Sequence, residues 1–206
     1  MRKMLSEDKN KNGSHLDFGC GTTPRNPFKA NRITCVDINP ISAIENLVVI
    51  SPGSALPFED NTFSSVSAYD VLEHLPRFHD GRNLFIFYMN EMCRVLKPGG
   101  KAIFVFPSLP HREAFSDPTH LNYITSDTVN YFTATPGGPF YEGINSTYKI
   151  IRNKKLRKFR YWVDSAEFFP NTQPPKNLRR RLSLAKRSVL RFFQPSHRIW
   201  ILQKLD

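Results

Sequence analysis

The run Asp117-Pro118-Thr119-His120 places a carboxylate three residues before an imidazole, a spacing at which the acid could orient a ring that takes a proton. A second such place is DVLEHL, where Glu73 and His74 are neighbours. Groups of this kind suit removal of a proton from a hydroxyl nucleophile. Plainer roles compete: Asp117 as a turn cap with His120 fixing its loop, and LEHL as packing. His79 and His111 carry no further signal. Asp117 and His120 alone do not make a metal site, and no metal is expected.

The second constellation is HLDFGCGTTP, His15 to Pro24. An apolar strand end runs into Gly19-Cys20-Gly21, where glycines let the backbone approach a ligand closely. A dinucleotide fingerprint needs glycine at position 24, where Pro24 stands, and no Lys-Ser/Thr follows to make a P-loop. Asp17 lies two residues before the turn. Asp37 closes the next apolar run, RITCVDI, where a carboxylate can accept hydrogen bonds from both hydroxyls of a ribose. The alternatives are a turn-forming Asp before Asn39-Pro40 and an ordinary tight glycine turn. Together the residues describe a nucleoside-type ligand that needs no phosphate site.

These groups must be positioned by short apolar elements. SHLDF, RITCVDI, ENLVVI, SSVSAY and KAIFVFP read as five strands, the last with few polar breaks, as for a strand covered on both faces. GRNLFIFYMNEMCRVLKPGG reads as a buried helix ending at Lys97-Pro98-Gly99-Gly100. NSTYKIIRNKKLRKFRYWV reads as a late hairpin and HRIWILQKL as the final strand. The expected fold is α/β: a Rossmann-like, doubly wound, mostly parallel sheet with an antiparallel C-terminal strand. Ligands of such sheets sit beyond the carboxyl ends of the strands, where Gly19 to Gly21, Asp37 and the segment Tyr69 to His74 all fall.

LDFGCG, CVDI, ALPFEDNTF, SAYDVLEHL and RVLKPGGKAIFVFP occur in order between residue 15 and about residue 107. In that order and spacing they resemble the class I S-adenosylmethionine-dependent methyltransferases. The resemblance implies that Asp17, Gly19 and Gly21 hold the methionine end of S-adenosyl-L-methionine and Asp37 its ribose. It further implies that Ile38 lies on the adenine, Ser54 at the adenine edge and Tyr69 near the methionine part. AFSDPTH is similar to a segment of a bacterial subgroup associated with surface-glycan pathways, which favours His120 as base, oriented by Asp117, with His74 as the other candidate. The implied reaction is O-methylation of a sugar or glycan hydroxyl. The competing readings are an RNA methyltransferase and a methylase-like binding protein that has lost turnover.

The sequence departs from the family in places. Thr23 stands where the third glycine is usual, and SPGSALPF lacks the acid that often reads the adenine amino group. Only 11 residues separate Gly21 from Ile33, so the first crossover helix is expected to be one turn or absent. With a short polar leader, an open site for a bulky acceptor is expected. The Asn/Asp-Pro-Pro-aromatic tetrapeptide of amino-group methylases is missing after the fourth strand. Carbon-5 cytosine methylation would need a cysteine nucleophile there, and Cys93 falls within the buried-looking helix.

A chain of 206 residues is expected to form one domain: a polar leader over 1–14, a cofactor-binding core over 15–107 and a substrate-side segment over 108–206. Three cysteines without a C-x-x-C suit a reducing cytosol, and the leader has no signal-peptide core, so a cytoplasmic location is expected. Residues 152–206 carry 15 Lys and Arg against 3 Asp and Glu, whereas residues 1–151 carry 14 against 15. Within the basic quarter, Leu178, Leu182, Ala185, Val189 and Phe192 recur at helical spacing, giving a basic amphipathic helix near 177–193 before a final strand near 197–204. Such a helix can dock on an anionic membrane surface, bind nucleic acid, or pack on the sheet edge and leave its arginines in water.

Overall fold

The short apolar runs pair into one seven-stranded sheet. The computed structural model describes residues 13–133, 143–156 and 196–206. The strands are β1 (Ser14–Phe18), β2 (Arg32–Asp37), β3 (Leu47–Val49), β4 (Phe63–Tyr69), β5 (Leu96–Pro107), β6 (Tyr148–Leu156) and β7 (His197–Lys204). Their order is β3-β2-β1-β4-β5-β7-β6. Neighbours are parallel except at β7, which runs antiparallel to both β5 and β6. Strand order reverses between β1 and β4, which opens a crevice at their carboxyl ends.

The second half of β5, Ala102 to Phe106, is apolar without a break because both its faces are covered. Ala102, Phe104 and Phe106 join Leu16, Phe18, Val66, Ala68, Trp200 and Leu202 in the main core, while Ile103 and Val105 pack behind the sheet with Leu156, Ile199 and Ile201. Helix α1 (Leu84–Val95) closes the main core with Leu84, Phe85, Tyr88, Met89 and Met92. Its free N–H groups are capped by the Asn83 side chain, which accepts from the Phe85 and Ile86 amides. The Arg94 guanidinium fastens ALPFEDNTF to this helix, donating to Glu91, Asp60 and the carbonyls of Leu56 and Phe58.

Four expectations are revised or fall wholly or partly outside the described residues. α1 stops at Val95 instead of running to Lys97-Pro98-Gly99-Gly100, and those four residues belong to β5. Pro98 disfavours a helical Lys97, and Leu96, already extended, pairs with Phe63 of β4. Of the expected late hairpin, the first part is strand β6, which pairs antiparallel with the final strand β7, and residues 157–163 lie outside the described residues. The basic helix near 177–193 and residues 1–12 of the leader also lie outside them.

The β1–β2 crossover, residues 19–31, contains turns and no helix. Buried polar groups hold it in shape. Asp17 accepts from the Arg25 amide at 2.7 Å through one oxygen and from the Ser67 hydroxyl at 2.6 Å through the other. Because Ser67 gives its proton to Asp17, its oxygen accepts from His15 Nε2 at 2.9 Å, and His15 Nδ1 accepts from Ser65 at 2.8 Å. His15 is fully buried and neutral, its pKa lowered to about 4 by desolvation. The unfolded chain binds this proton more readily, so stability is complete above pH 6.5 and falls as pH drops toward 4. A denaturation series is expected to show a loss of up to about 3 kcal/mol across that window, reduced in a folded His15→Gln variant.

Candidate active site

Two cavities meet at the carboxyl ends of β1, β2 and β4. The first, about 400 Å³, is lined by Gly19, Asp37, Ile38 and Asn39 at its polar end and by Phe18, Val36, Ile50, Pro52, Leu84 and Tyr88 as an apolar slot. The bend and the acid are tied together: the Gly21 amide donates to Asp37 Oδ2 at 3.0 Å, and the Asn39 amide to Oδ1 at 2.9 Å. Gly19 has φ +67°, and a Cβ there would overlap the Val71 side chain, so glycine is required twice over. At Gly21 a Cβ would meet nothing, which leaves open space beside the bend. Ile38 is exposed at the mouth of the slot.

These features fit S-adenosylmethionine: an apolar slot with room for a flat ring, a carboxylate at its polar end able to accept from hydroxyls, and free space along a glycine bend. Three residues implied by the resemblance lie elsewhere. Asp17 is buried beneath the bend with both oxygens engaged, so it shapes the loop from behind. Ser54 is exposed and is not part of the lining, where Ile50 and Pro52 stand instead. Tyr69 points to the rear of the sheet, packing on the second core cluster under the Arg25 guanidinium, 5.0 Å from the ring centre.

The second cavity, about 440 Å³, holds the carboxylates of Asp70, Glu73, Glu113 and Asp117 and the imidazoles of His74, His120 and His197. Asp70 and His74 line both cavities. Asp70 directly follows β4 with φ +53°, a strained backbone for a residue with a side chain and a common mark of a functional position. Its Oδ1 lies 3.3 Å from His197 Nε2. His197 gave no signal in the sequence; it arrives because antiparallel β7 pairs it with Pro107 at the carboxyl end of β5.

A 3-10 turn over Leu72–His74 carries Glu73 and His74, and the segment after β5 pins it. The Glu73 carbonyl accepts from the Leu121 and Asn122 amides, and the Asn122 side chain donates to the Leu72 and Leu75 carbonyls. Asp117 does not hydrogen-bond to the His120 ring, which is 3.9 Å away; it accepts instead from the Thr119 amide and, at 2.6 Å, from the Thr119 hydroxyl. Those bonds hold its carboxyl below the usual range. The Thr119 oxygen is thereby left to accept from His74 Nδ1 at 3.0 Å. His120 Nδ1 donates to the Ala114 carbonyl at 3.1 Å, and the two rings pack edge to face at 4.8 Å. Asp117 therefore orients His74 through Thr119 rather than orienting His120.

Glu73 is 1% exposed, and neither carboxylate oxygen hydrogen-bonds to another residue. Burial, with the Asp70 charge nearby, pushes its pKa up to about 9. The three cysteines are buried; desolvation raises Cys20 to about 12 and raises Cys35 and Cys93, which makes them poor nucleophiles.

Strand order and cleft define a class first: the Rossmann-like fold of class I S-adenosylmethionine-dependent methyltransferases. The comparisons agree. Residues 16–104 match the family model described as a methyltransferase domain. Curated relatives include demethylmenaquinone methyltransferases of Bacillus cereus (strain AH187) and Bacillus anthracis (strain A0248), 26% identical over 137 residues, which is 66% of this chain and 47% of theirs. The chain thus spans about half the length of the curated relatives it matches.

Among solved structures, the complex between the Trm112 methyltransferase activator and a methyltransferase of Haloferax volcanii matches with a TM-score of 0.60 at 12% identity, covering 97% of this chain and 85% of that one. A SAM-dependent methyltransferase of Archaeoglobus fulgidus matches at 0.54 and 17% identity, covering 94% and 86%. The S-adenosyl-L-methionine complex of Haemonchus contortus phosphoethanolamine N-methyltransferase 2 matches at 0.56 and 14% identity, covering 96% and 50%. Over residues 16–104 the chain is thus similar to methyltransferase domains, and its fold is the one these S-adenosylmethionine-dependent enzymes share. No helix among the described residues is long and apolar enough to cross a membrane.

The isolated Glu73 carboxyl yields a pH test. Its folded pKa lies above the unfolded one, so its contribution to stability is full below about pH 4.5 and is lost as pH rises toward 9. Relative to Glu73→Gln, the wild-type chain in chelator is expected to lose about 1 kcal/mol of stability per pH unit between pH 5 and 9. Parallel stability profiles for the two proteins would contradict the assignment.

Proposed function

We propose that this chain is a methyltransferase that transfers the methyl group of S-adenosylmethionine to a hydroxyl of a polyhydroxylated acceptor, a sugar or glycan. The observation that carries the reading is the second cavity, whose carboxylates and imidazoles open onto the cofactor cleft at Asp70 and His74. A wall of that composition suits an acceptor rich in hydroxyls better than an apolar ring system. Absence of a reactive cysteine at the site agrees with oxygen rather than cytosine carbon as nucleophile.

When bound, S-adenosylmethionine supplies a methyl group on a positively charged sulfur. An acceptor oxygen held in line with that carbon would form the O–CH3 bond as the S–CH3 bond breaks, and the protein's contribution would be chiefly alignment. The hydroxyl proton passes to Asp70, which stands where the cavities meet. His120, the base favoured by sequence, lines the second cavity alone and is assigned with His74 to holding the acceptor. A glycan at an anionic membrane face is the acceptor setting most in keeping with the basic residues 152–206.

Incubating the protein with methyl-labelled cofactor and fractionated extract tests the acceptor. Label as a base-stable methyl ether on a sugar, whether free, lipid-linked or in glycan, is expected; label only in RNA or in lipids and small molecules that carry no sugar contradicts the reading. With the identified acceptor, Asp70→Asn is expected to lower kcat by about 100-fold or more while cofactor affinity changes little.

A further inference from the structure

Glu73, His74 and His120 form a cluster whose oxygen and nitrogen atoms lie within 4.8 Å of one another in the second cavity. We propose that these three side chains bind one divalent first-row transition-metal ion, with the remaining coordination positions open to the acceptor hydroxyl. The role of the ion in catalysis rests on the methyl-transfer reading above; its binding does not.

Three observations carry the site. Glu73 is a carboxylate 1% exposed that faces the cavity and hydrogen-bonds to no other residue. A buried carboxyl group without a hydrogen-bond partner is costly in either protonation state, and a cation between it and two imidazoles would displace its proton and satisfy its oxygens. Both histidines also have their ligand atoms selected in advance. His74 Nδ1 faces only acceptors, the Thr119 hydroxyl and the Thr119 carbonyl, because the hydroxyl proton is committed to Asp117. His120 Nδ1 faces the Ala114 carbonyl. Each Nδ1 therefore carries the proton, and each Nε2 keeps its lone pair. This is the outer arrangement that metal-binding histidines require, with the far nitrogen donating to a carbonyl or to a group backed by a carboxylate.

The turn that carries Glu73 and His74 is also fixed before any ion arrives. Asn122 holds its carbonyls, and the backbone at residues 121 and 122 holds the Glu73 carbonyl. Two imidazoles and one carboxylate on one side of an ion suit manganese, iron, cobalt or zinc rather than magnesium or calcium, which favour all-oxygen shells. An acceptor hydroxyl on such an ion would be acidified, with its proton leaving to Asp70 at the cavity junction.

The test uses the 206-residue chain without a tag after chelation and desalting, titrated with Co2+ while its visible absorption is followed, and separately with Mg2+ by calorimetry. One equivalent of Co2+ is expected, with Mg2+ binding much more weakly. Glu73→Gln and His120→Asn are expected to abolish the tight equivalent, and Thr119→Val to weaken it by about 10-fold through loss of His74 orientation. S-adenosylmethionine titrations on each variant show that the fold and the cofactor cleft persist. No tight Co2+ uptake by a chain that binds S-adenosylmethionine would overturn the proposal, as would uptake unchanged in both ligand variants. Co2+ uptake by a chain that fails to bind S-adenosylmethionine would leave the ion site standing and overturn the methyl-transfer reading instead.

Discussion

The 3.0 Å hydrogen bond from the Gly21 amide to Asp37 is the constraint on which the site depends. It joins the bend after β1 to the end of β2, two places that parallel pairing brings side by side. A first crossover of thirteen residues leaves no length for a packed helix, so the loop is shaped from within. Asp17 holds it from below through the Arg25 amide, and Asp37 holds it from the side. A Cβ at Gly19 would overlap Val71, at the start of the turn that carries the acidic and imidazole groups, so the bend lies close to that turn. The two cavities adjoin across this turn, sharing Asp70 and His74.

The second cavity is assembled from four separate parts of the chain. β4 delivers Asp70, the following turn delivers Glu73 and His74, the segment after β5 delivers Glu113, Asp117 and His120, and β7 delivers His197. Asn122 is the cross-tie, binding carbonyls on both sides of the turn from a position 50 residues later in the chain. That explains why LEHL and DPTHLN serve one another: the later run reads the backbone of the earlier one and sets the tautomer of its histidine. The strained backbone at Asp70 sits where the cavities touch, and the surrounding pairing holds it there.

Much of this was legible before any coordinates. Apolar runs bounded by glycine, proline and asparagine marked the strands because strand burial is written in local periodicity. Asp37 and the glycine bend were legible for the same reason, both being fixed by their own strand ends. What the sequence misplaced depends on contacts far apart in the chain. Asp17 and Tyr69 alternate onto the wrong face of their strands to meet a cofactor, and His197 reaches the site only through antiparallel pairing with β5. Asp117 looked like the partner of His120 at three residues' distance, yet the Thr119 hydroxyl captured it and passed its influence to His74. The end of α1 was misread because strand pairing at Leu96 acts before the proline and glycines that follow.

The central claim is that the Asp37 carboxylate and the glycine bend together hold an adenosyl sulfonium. Calorimetric titration of S-adenosylmethionine into wild-type protein and Asp37→Asn measures this most directly, since the amide keeps one oxygen for the Gly21 N–H but cannot accept from both ribose hydroxyls. One equivalent bound by wild type, and an affinity lower by about 10-fold or more in a variant of unchanged melting temperature, is the predicted result. Equal affinities in the two proteins, or no binding to either, would contradict the account.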